Sequence, residues 1–340
     1  MKKKNSLFLA MISTLLLTTS CHYFEGKKHN VVQDDFVYIR SNANFQEVLD
    51  SLENKLKNVE SFEKYATFKE YPNHIKAGKY KLNADDTNKA LVQRLIIGTQ
   101  EEVRVRIQNE PTIFHLAASV SKNIEADSAQ IVDGIMAWAK EKDQNLDEET
   151  VKLFFSPNTY HFFWNTSGKQ FADRMGKEFD KIWTEKRQQQ AEKMNFTQLE
   201  VFTLASIVQM EASKADEQPK VAQAYLNRLA KGMKLEADPT SIYAYRMQNG
   251  FNHQIQRVRF GHLATPSAYN TYKVHGLPPA PICLPNLTAV DAVLQPEQHP
   301  FVFFCADPDR PGYHSFTNSY AEHQKNAAKY RRWLEAKGIQ

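Results

Sequence analysis

Apolar and polar positions alternate with a period of two over Phe36-Val37-Tyr38-Ile39, and the period then lengthens. Phe45, Val48, Leu49 and Leu52 recur at the three- and four-residue spacing of one helix face. The same succession returns twice: Tyr80-Lys81-Leu82 leads to Leu91, Val92 and Leu95, and Val103 to Ile107 leads to Ile113, Leu116, Ala117 and Val120. Three strand-turn-helix units are therefore expected between residues 36 and 122, each with an apolar face that needs a neighbour. Small sugar-binding modules are built this way, and so are ordinary α/β domains.

From about Asp127 to Lys193 the pattern is mostly helical, broken by a loop at Ser156-Pro157-Asn158-Thr159-Tyr160. The aromatic run Tyr160-His161-Phe162-Phe163-Trp164 follows at once. Flat rings stack on sugars, so this run reads either as a groove wall or as a core strand closed by a turn at Asn165 to Ser167.

The most informative stretch is Asn195 to Asp238. Thr197 and Glu200 have the spacing of a capping box, and the helix they open carries Leu199, Phe202, Leu204, Ile207, Val208 and Met210 on nearly every side. Such a helix belongs in the interior. Glu211 falls in its final turn, and Leu204, Ile207 and Val208 lie seven, four and three places before it, so its carboxyl projects from a hydrocarbon face. An apolar surround and the negative end of the helix dipole both disfavour the anion and raise its pKa. A carboxylic acid protonated near neutrality is suited to general-acid catalysis. An ordinary helix-end glutamate reaching solvent would show the same local pattern.

A second helix follows Asp216-Glu217-Gln218-Pro219, with Val221, Ala222, Tyr225, Leu226 and Leu229 on one face and Gly232 as its stop. Asp238-Pro239 opens a third, with Asp238 as the expected cap. Three short helices around a glutamate suggest a lysozyme-like helical core. Further on, Thr265-Pro-Ser-Ala-Tyr269-Asn-Thr-Tyr272 and Gly276-Leu-Pro-Pro-Ala-Pro-Ile282 offer fixed backbone, flat rings and amide hydrogen bonds. Polysaccharide binding needs these features, although rigid loops have them too.

Composition narrows the class. Hydrophobic residues at 42% and charged residues at 24% are ordinary for a globular chain, and 43 basic against 39 acidic residues leave too little charge to point to nucleic acid. The start is different: Met1-Lys2-Lys3-Lys4 precedes an uncharged stretch from Asn5 to Phe24, ended by Glu25 and Lys27-Lys28. Residues 1–24 read as an export signal, either a membrane anchor or a lipoprotein signal ending at Cys21, with Thr18 where Leu is usual and Leu17 one place further away. Either puts the bulk of the chain outside the cytoplasm, at the cell (inner) membrane. Cys283 and Cys305 are there either a disulfide pair or two buried free thiols. No G-x-S-x-G, H-E-x-x-H, P-loop or G-x-G-x-x-G occurs, and His262, His275 and His314 lack a metal-ligand spacing.

One resemblance gathers these features. Leu204-Ala-Ser-Ile-Val-Gln-Met-Glu211, Asn227-Arg-Leu229, Gly232-Met233 with Leu235, Ala237-Asp-Pro-Thr240, Tyr269-Asn-Thr-Tyr272, Gly276-Leu-Pro-Pro279 and Gly312-Tyr-His-Ser-Phe316 resemble, in order, the motif series of MltG-type (YceG-like) endolytic transglycosylases. The resemblance runs from about residue 36 to the C-terminus. It implies an α+β chain: a small LysM-like strand and helix region at 36–102, then a catalytic domain at 103–340 with its core at 195–320, mainly helical with additional strands. It also implies a membrane-anchored N-terminus, peptidoglycan glycan strands as substrate, 1,6-anhydro-muramyl ends as product and penicillin-binding synthases as neighbours. Glu211 matches the catalytic position. The family commonly has a second glutamate two places earlier, where this chain has Gln209; positions two apart lie about 200° apart around a helix. One groove cannot receive both, and Glu211 alone is expected to suffice.

Hydrolytic glycosidases usually pair two carboxylates. Only Glu211 is convincing here, which suits a transglycosylase whose substrate supplies its own C6 hydroxyl as nucleophile. Asn270, Tyr272, Tyr160, Asp238 and Thr240 are the expected substrate-binding residues, with no metal or cofactor. The alternatives are a muramidase using Glu217 or Asp238 as second carboxylate, and a wall-binding lipoprotein without turnover.

Overall fold

The structure, a computed structural model, describes residues 23–253, 255 and 258–338. The expected anchor or signal segment, Cys21 included, lies outside them apart from Tyr23 and Phe24. Among the described residues no helix is long and apolar enough to cross a membrane. The fold is α+β, with short two-stranded sheets set among helices, and the chain forms two compact units.

The first unit runs to Val105 and takes in Ser121–Ala126 and His161–Ser167. Strand β1 (Asp35–Ile39) leads through an Asn44/Glu47 capping box into helix α1 (Phe45–Leu52), and helix α2 (Val59–Phe68) follows. Strand β2 (Gly78–Leu82) then pairs antiparallel with β1, Val37 opposite Tyr80, before helix α3 (Asn88–Ile97). Alternation along β1 and β2 puts Val37, Ile39, Tyr80 and Leu82 in a core with Leu52, Phe62 and Leu91. Asn30 and Asn88, both buried, bond to each other at 2.8 Å and hold the backbone of Asn58 and the hydroxyl of Ser61. Each predicted strand and its helix is present, but the three do not form a repeat. An unforeseen helix, α2, stands between the first two, and the third strand pairs elsewhere.

The second unit holds Arg106–Val120, Asp127–Tyr160 and the chain from Gly168 onward. Strand β3 (Glu102–Ile107), whose first four residues belong to the first unit, leads to helices α4 (Ile113–Val120) and α5 (Ser128–Lys142), a 3-10 turn at Thr150–Phe154 and strand β4 (Asn158–Phe163), which pairs with β3 and whose last three residues belong to the first unit. The aromatic run is thus a strand, with a turn after it closed by Thr166 N–H on Phe163 O. Helices α6 (Gly168–Ile182), α7 (Glu185–Lys193), α8 (Gln198–Glu211), α9 (Gln218–Ala230), α10 (Asp238–Asn249), α11 (Phe260–Ala264) and α12 (Leu287–Leu294) follow. Strands β5 (Phe303–Ala306) and β6 (His314–Thr317) form an antiparallel pair, Ala306 opposite His314, and helix α13 (Tyr320–Ala336) lies against it.

The α5–α6 contact depends on two glycines. A Cβ at Gly134 would sit 2.2 Å from the carbonyl carbon of Gly168, and one at Gly168 would sit 2.1 Å from Gln130 O. No side chain can yield there, because the obstructing atoms are backbone. Gly134→Ala should therefore force the helices apart and cost about 1–3 kcal/mol, seen as a lower urea midpoint; an unchanged midpoint would show that the contact is not rigid.

Candidate active site

Helix α8 supplies the central side chain. Thr197 and Glu200 form the capping box, and every residue from Val201 to Val208 is buried. The helix is enclosed by α7, α9, α10, α12 and the Thr150–Phe154 turn. It ends at Glu211: Ala212 turns to extended backbone while its N–H still bonds Val208 O. The Glu211 carboxyl is thus carried by an interior helix, half-buried, at the one end where the chain opens.

That end faces a cavity of about 460 Å³ lined by Glu211, Tyr225, Asp238, Tyr272, Phe304 and His314, among others. Tyr225 on α9 donates its hydroxyl to Glu211 Oε2 at 3.2 Å, and its ring meets Phe304 edge-on. Phe304 in turn meets His314 edge-on. Glu217 is buried, accepting the His314 backbone N–H at 2.7 Å and standing 2.8 Å from His314 Nδ1. Tyr272 donates to Asp238 Oδ1 at 2.6 Å, and Arg228 donates to Leu235 O at 2.5 Å and to Glu236 at 2.8 Å.

The Glu211 pKa is pushed up to about 6. Burial is the main cause; His314 opposes it, the negative charges of Asp238 and Glu217 add to it, and the Tyr225 hydrogen bond opposes it. Its place in the last helical turn acts in the raising direction as well. The cavity therefore presents a carboxyl that exchanges its proton near neutrality, beside flat rings and hydroxyls.

The expected groove residues divide. Asp238 and Tyr272 line the cavity with Glu211. Asp238 is not a cap: Ala237 holds that position and Asp238 is the first helical residue, its carboxylate turned to the Tyr272 hydroxyl. Asn270 and Thr240 are fully buried behind the wall. Asn270 donates to Leu263 O and Thr265 O and accepts the Tyr272 N–H, while Thr240 and Thr271 share a 2.7 Å hydroxyl bond. Tyr160 is buried elsewhere, donating to Ser156 O, and is not among the cavity residues. Gln209 points away from Glu211: its Oε1 accepts the Asn286 N–H at the start of α12 at 2.6 Å.

Three contributors escaped the sequence reading. Tyr225 read only as part of an apolar face, though a hydroxyl on such a face needs a polar partner. Arg228 is buried under Phe303. Lys152, in an otherwise apolar run, is fully buried and bonds Glu149 at 2.6 Å and the Tyr243 hydroxyl at 2.8 Å; Tyr243 and Tyr269 also donate to Glu149. This network pins the start of the Tyr272 loop. Cys283 and Cys305 are free thiols, and Cys305 lines the cavity. No cluster of three or more His, Cys, Asp or Glu among the described residues is arranged to hold a metal ion.

The family model described as the YceG-like family matches residues 37–329. The chain belongs to the YceG-like family. Among similar proteins, the endolytic murein transglycosylase of Bacillus subtilis (strain 168) is 26% identical over 298 residues, covering 81% of this chain and 78% of the relative. The protein of that name from Streptococcus pneumoniae serotype 2 is 25% identical over 325 residues, covering 86% of this chain and 58% of the relative, so the chain spans little more than half of that longer protein. A crystal structure of a yceG-like protein from Listeria monocytogenes superposes with a TM-score of 0.56 at 23% identity, covering 86% of this chain and 98% of the other. It supports the fold of this YceG-like chain.

Because the Tyr225 hydrogen bond favours the Glu211 anion, Tyr225→Phe should raise the Glu211 pKa above about 6. Carbon-13 NMR of glutamate-labelled protein reads this directly. A titration that does not move, or moves down, would show that the hydroxyl does not act on this carboxyl.

Proposed function

We propose that this YceG-like chain is a peptidoglycan lytic transglycosylase with Glu211 as its acid and base. The observation that carries this reading is how the cavity divides its carboxylates. Asp238 is taken by Tyr272, Glu217 by His314 and Glu236 by Arg228, which leaves Glu211, among the described residues, with a single 3.2 Å bond from Tyr225 and a pKa of about 6. Glu211, protonated, gives its proton to the glycosidic oxygen between MurNAc and GlcNAc as that bond breaks. As carboxylate it then removes the proton from the C6 hydroxyl, whose oxygen closes on C1 to leave a 1,6-anhydro-MurNAc end. The proton and the leaving group balance without water. Tyr272 and Asp238 would line the strand's path, and Asn270 and Thr240 would hold that wall in place. The cationic start and apolar run support attachment at the cell membrane, by a single span or at Cys21, with the catalytic part extracytoplasmic; penicillin-binding synthases as neighbours rest on the family alone.

A hydrolytic reading survives on one observation. Asp238 lines the same cavity, and only its Oδ1 is engaged by Tyr272. Product mass separates the two: a transglycosylase releases fragments one water lighter than a muramidase does.

Digestion of intact peptidoglycan should give anhydro ends, and Glu211→Gln should lower the rate on the order of 10³-fold. Since the protonated form acts first, the rate should decline as pH rises through about 6. Glu211→Gln should also fold at least as stably as the parent at pH 7.5, because the amide removes a charge that burial disfavours. Reducing-end products, or full activity in Glu211→Gln, would overturn the proposal.

A further inference from the structure

Helix α8 ends between two cavities, both within the second unit. The one not yet described holds about 440 Å³ and has Arg106, Gln108, Asn109, Asn158, Gln218 and Asn286 in its walls. Gln209 lines it too, about 200° around the helix from Glu211. So do Ala212 and Ser213, the residues that directly follow Glu211. The two cavities therefore lie on different sides of one helix end.

Their chemistry differs. The cavity at Glu211 has Tyr225, Tyr272 and Phe304 in its walls, whereas the second has, among the described residues, no aromatic ring and no carboxylate, and Arg106 is its one charged member. Sugar rings pack on flat faces, which it lacks. Its amides are arranged to donate. Asn158 Oδ1 accepts the Thr159 N–H at 2.7 Å, and Asn286 Oδ1 accepts the Ala289 N–H at 2.9 Å and the Thr288 hydroxyl at 2.7 Å. Those oxygens are used by the protein itself, while the amide NH₂ groups of Asn158 and Asn286 and the exposed Arg106 guanidinium have no partner among the described residues. Gln209 and Gln218 brace the wall, the first accepting the Asn286 N–H at 2.6 Å and the second donating to Ala212 O at 3.1 Å. Fixed donors around one cation fit a ligand rich in carbonyls and carboxylates, which describes a short peptide.

A peptidoglycan strand carries such a group on every MurNAc that has kept its stem. With MurNAc seated at Glu211, the peptide on its lactyl ether must leave the path of the sugars. Four extended residues span about 13 Å, more than the breadth of a helix at about 10–12 Å. The branch can therefore cross the end of α8 while the sugars stay beside the aromatic rings.

We propose, resting on the reading given for Glu211, that the second cavity binds the stem peptide of the MurNAc being cleaved, with Arg106 on a stem carboxylate and the Asn158 and Asn286 amides on stem carbonyls. The chain then selects glycan that still bears peptide over glycan that has been stripped of it.

The test measures binding, by isothermal titration calorimetry, to the full chain carrying Glu211→Gln. The ligands are the GlcNAc-MurNAc disaccharide with its peptide and the same disaccharide freed of the peptide. The stemmed ligand should bind on the order of tenfold more tightly. Adding Arg106→Glu, or filling the cavity with Asn158→Trp, should erase that advantage and leave the stripped disaccharide bound as before. Both positions are exposed, so neither change reaches the core. Equal binding of the two ligands, no binding of the stemmed one, an advantage that survives both changes, or an equal loss for both ligands, which would make this a sugar site, would each overturn the proposal. Because no turnover is involved, a stem advantage in a chain whose parent yields no anhydro ends would count against the reaction assigned to Glu211 and not against the peptide site.

Discussion

The burial of α8 on every side is the constraint from which the second unit is arranged. A helix with no solvent face cannot carry an ionisable group in its middle at acceptable cost, so its eight central positions from Val201 to Val208 are all withdrawn from solvent. Charge is admitted only at the ends; Thr203 and Ser206, the polar residues between, are uncharged, and the Ser206 hydroxyl is bonded to Thr203 O and Ile282 N–H. At the N-terminal end Thr197 and Glu200 satisfy the first amides; at the C-terminal end Glu211 emerges where the enclosing helices part. The carboxyl is therefore positioned by packing, and the same packing withholds the water that would keep its pKa ordinary.

The opposite wall is built differently. The Tyr272 loop has little regular structure and is fixed by buried polar bonds: Asn270 spans Leu263, Thr265 and Tyr272, Thr271 locks to Thr240, and Tyr269 reaches Glu149 beside Lys152. Buried polar networks of this kind define one geometry, since each broken bond leaves an unsatisfied group in a low-dielectric setting. One wall of the cavity is thus set by hydrocarbon and the other by hydrogen bonds. The proposed acid stands on the hydrocarbon side and the hydroxyls on the polar side.

This difference explains what the sequence disclosed. The capping box, the interior character of α8 and the placement of Glu211 were legible because they are local, carried by residues a few places apart. So was the separation of Gln209 from Glu211, which follows from helix geometry and is met by Gln209 turning to Asn286. The roles of Tyr225, Arg228 and Lys152 were not legible, because each depends on a partner many residues away or on a turn of backbone that no local pattern marks. Asp238 shows the limit most clearly: locally it looks like a cap, and only the distant Tyr272 hydroxyl accounts for its orientation. In the first unit the strands and helices were visible by period, whereas the pairing of β1 with β2 was not, and α2 between them was passed over.

The carboxylates around the cavity bear on why a single acid can be singled out at all. Glu211, Asp238 and Glu236 line it, and Glu217 stands just behind His314. Negative charges so close repel one another, and those of Asp238 and Glu217 add to the upward push on Glu211. Three of the four carboxylates have partners of their own: the Tyr272 phenol for Asp238, the His314 imidazole for Glu217 and the Arg228 guanidinium for Glu236. Glu211 has the longest bond of the four, 3.2 Å from Tyr225, and burial together with the charges of Asp238 and Glu217 raises its pKa. The protonation that distinguishes it is therefore a property of the whole ring of paired residues, so disturbing the Asp238 or Glu217 pairing would change the acid without touching it.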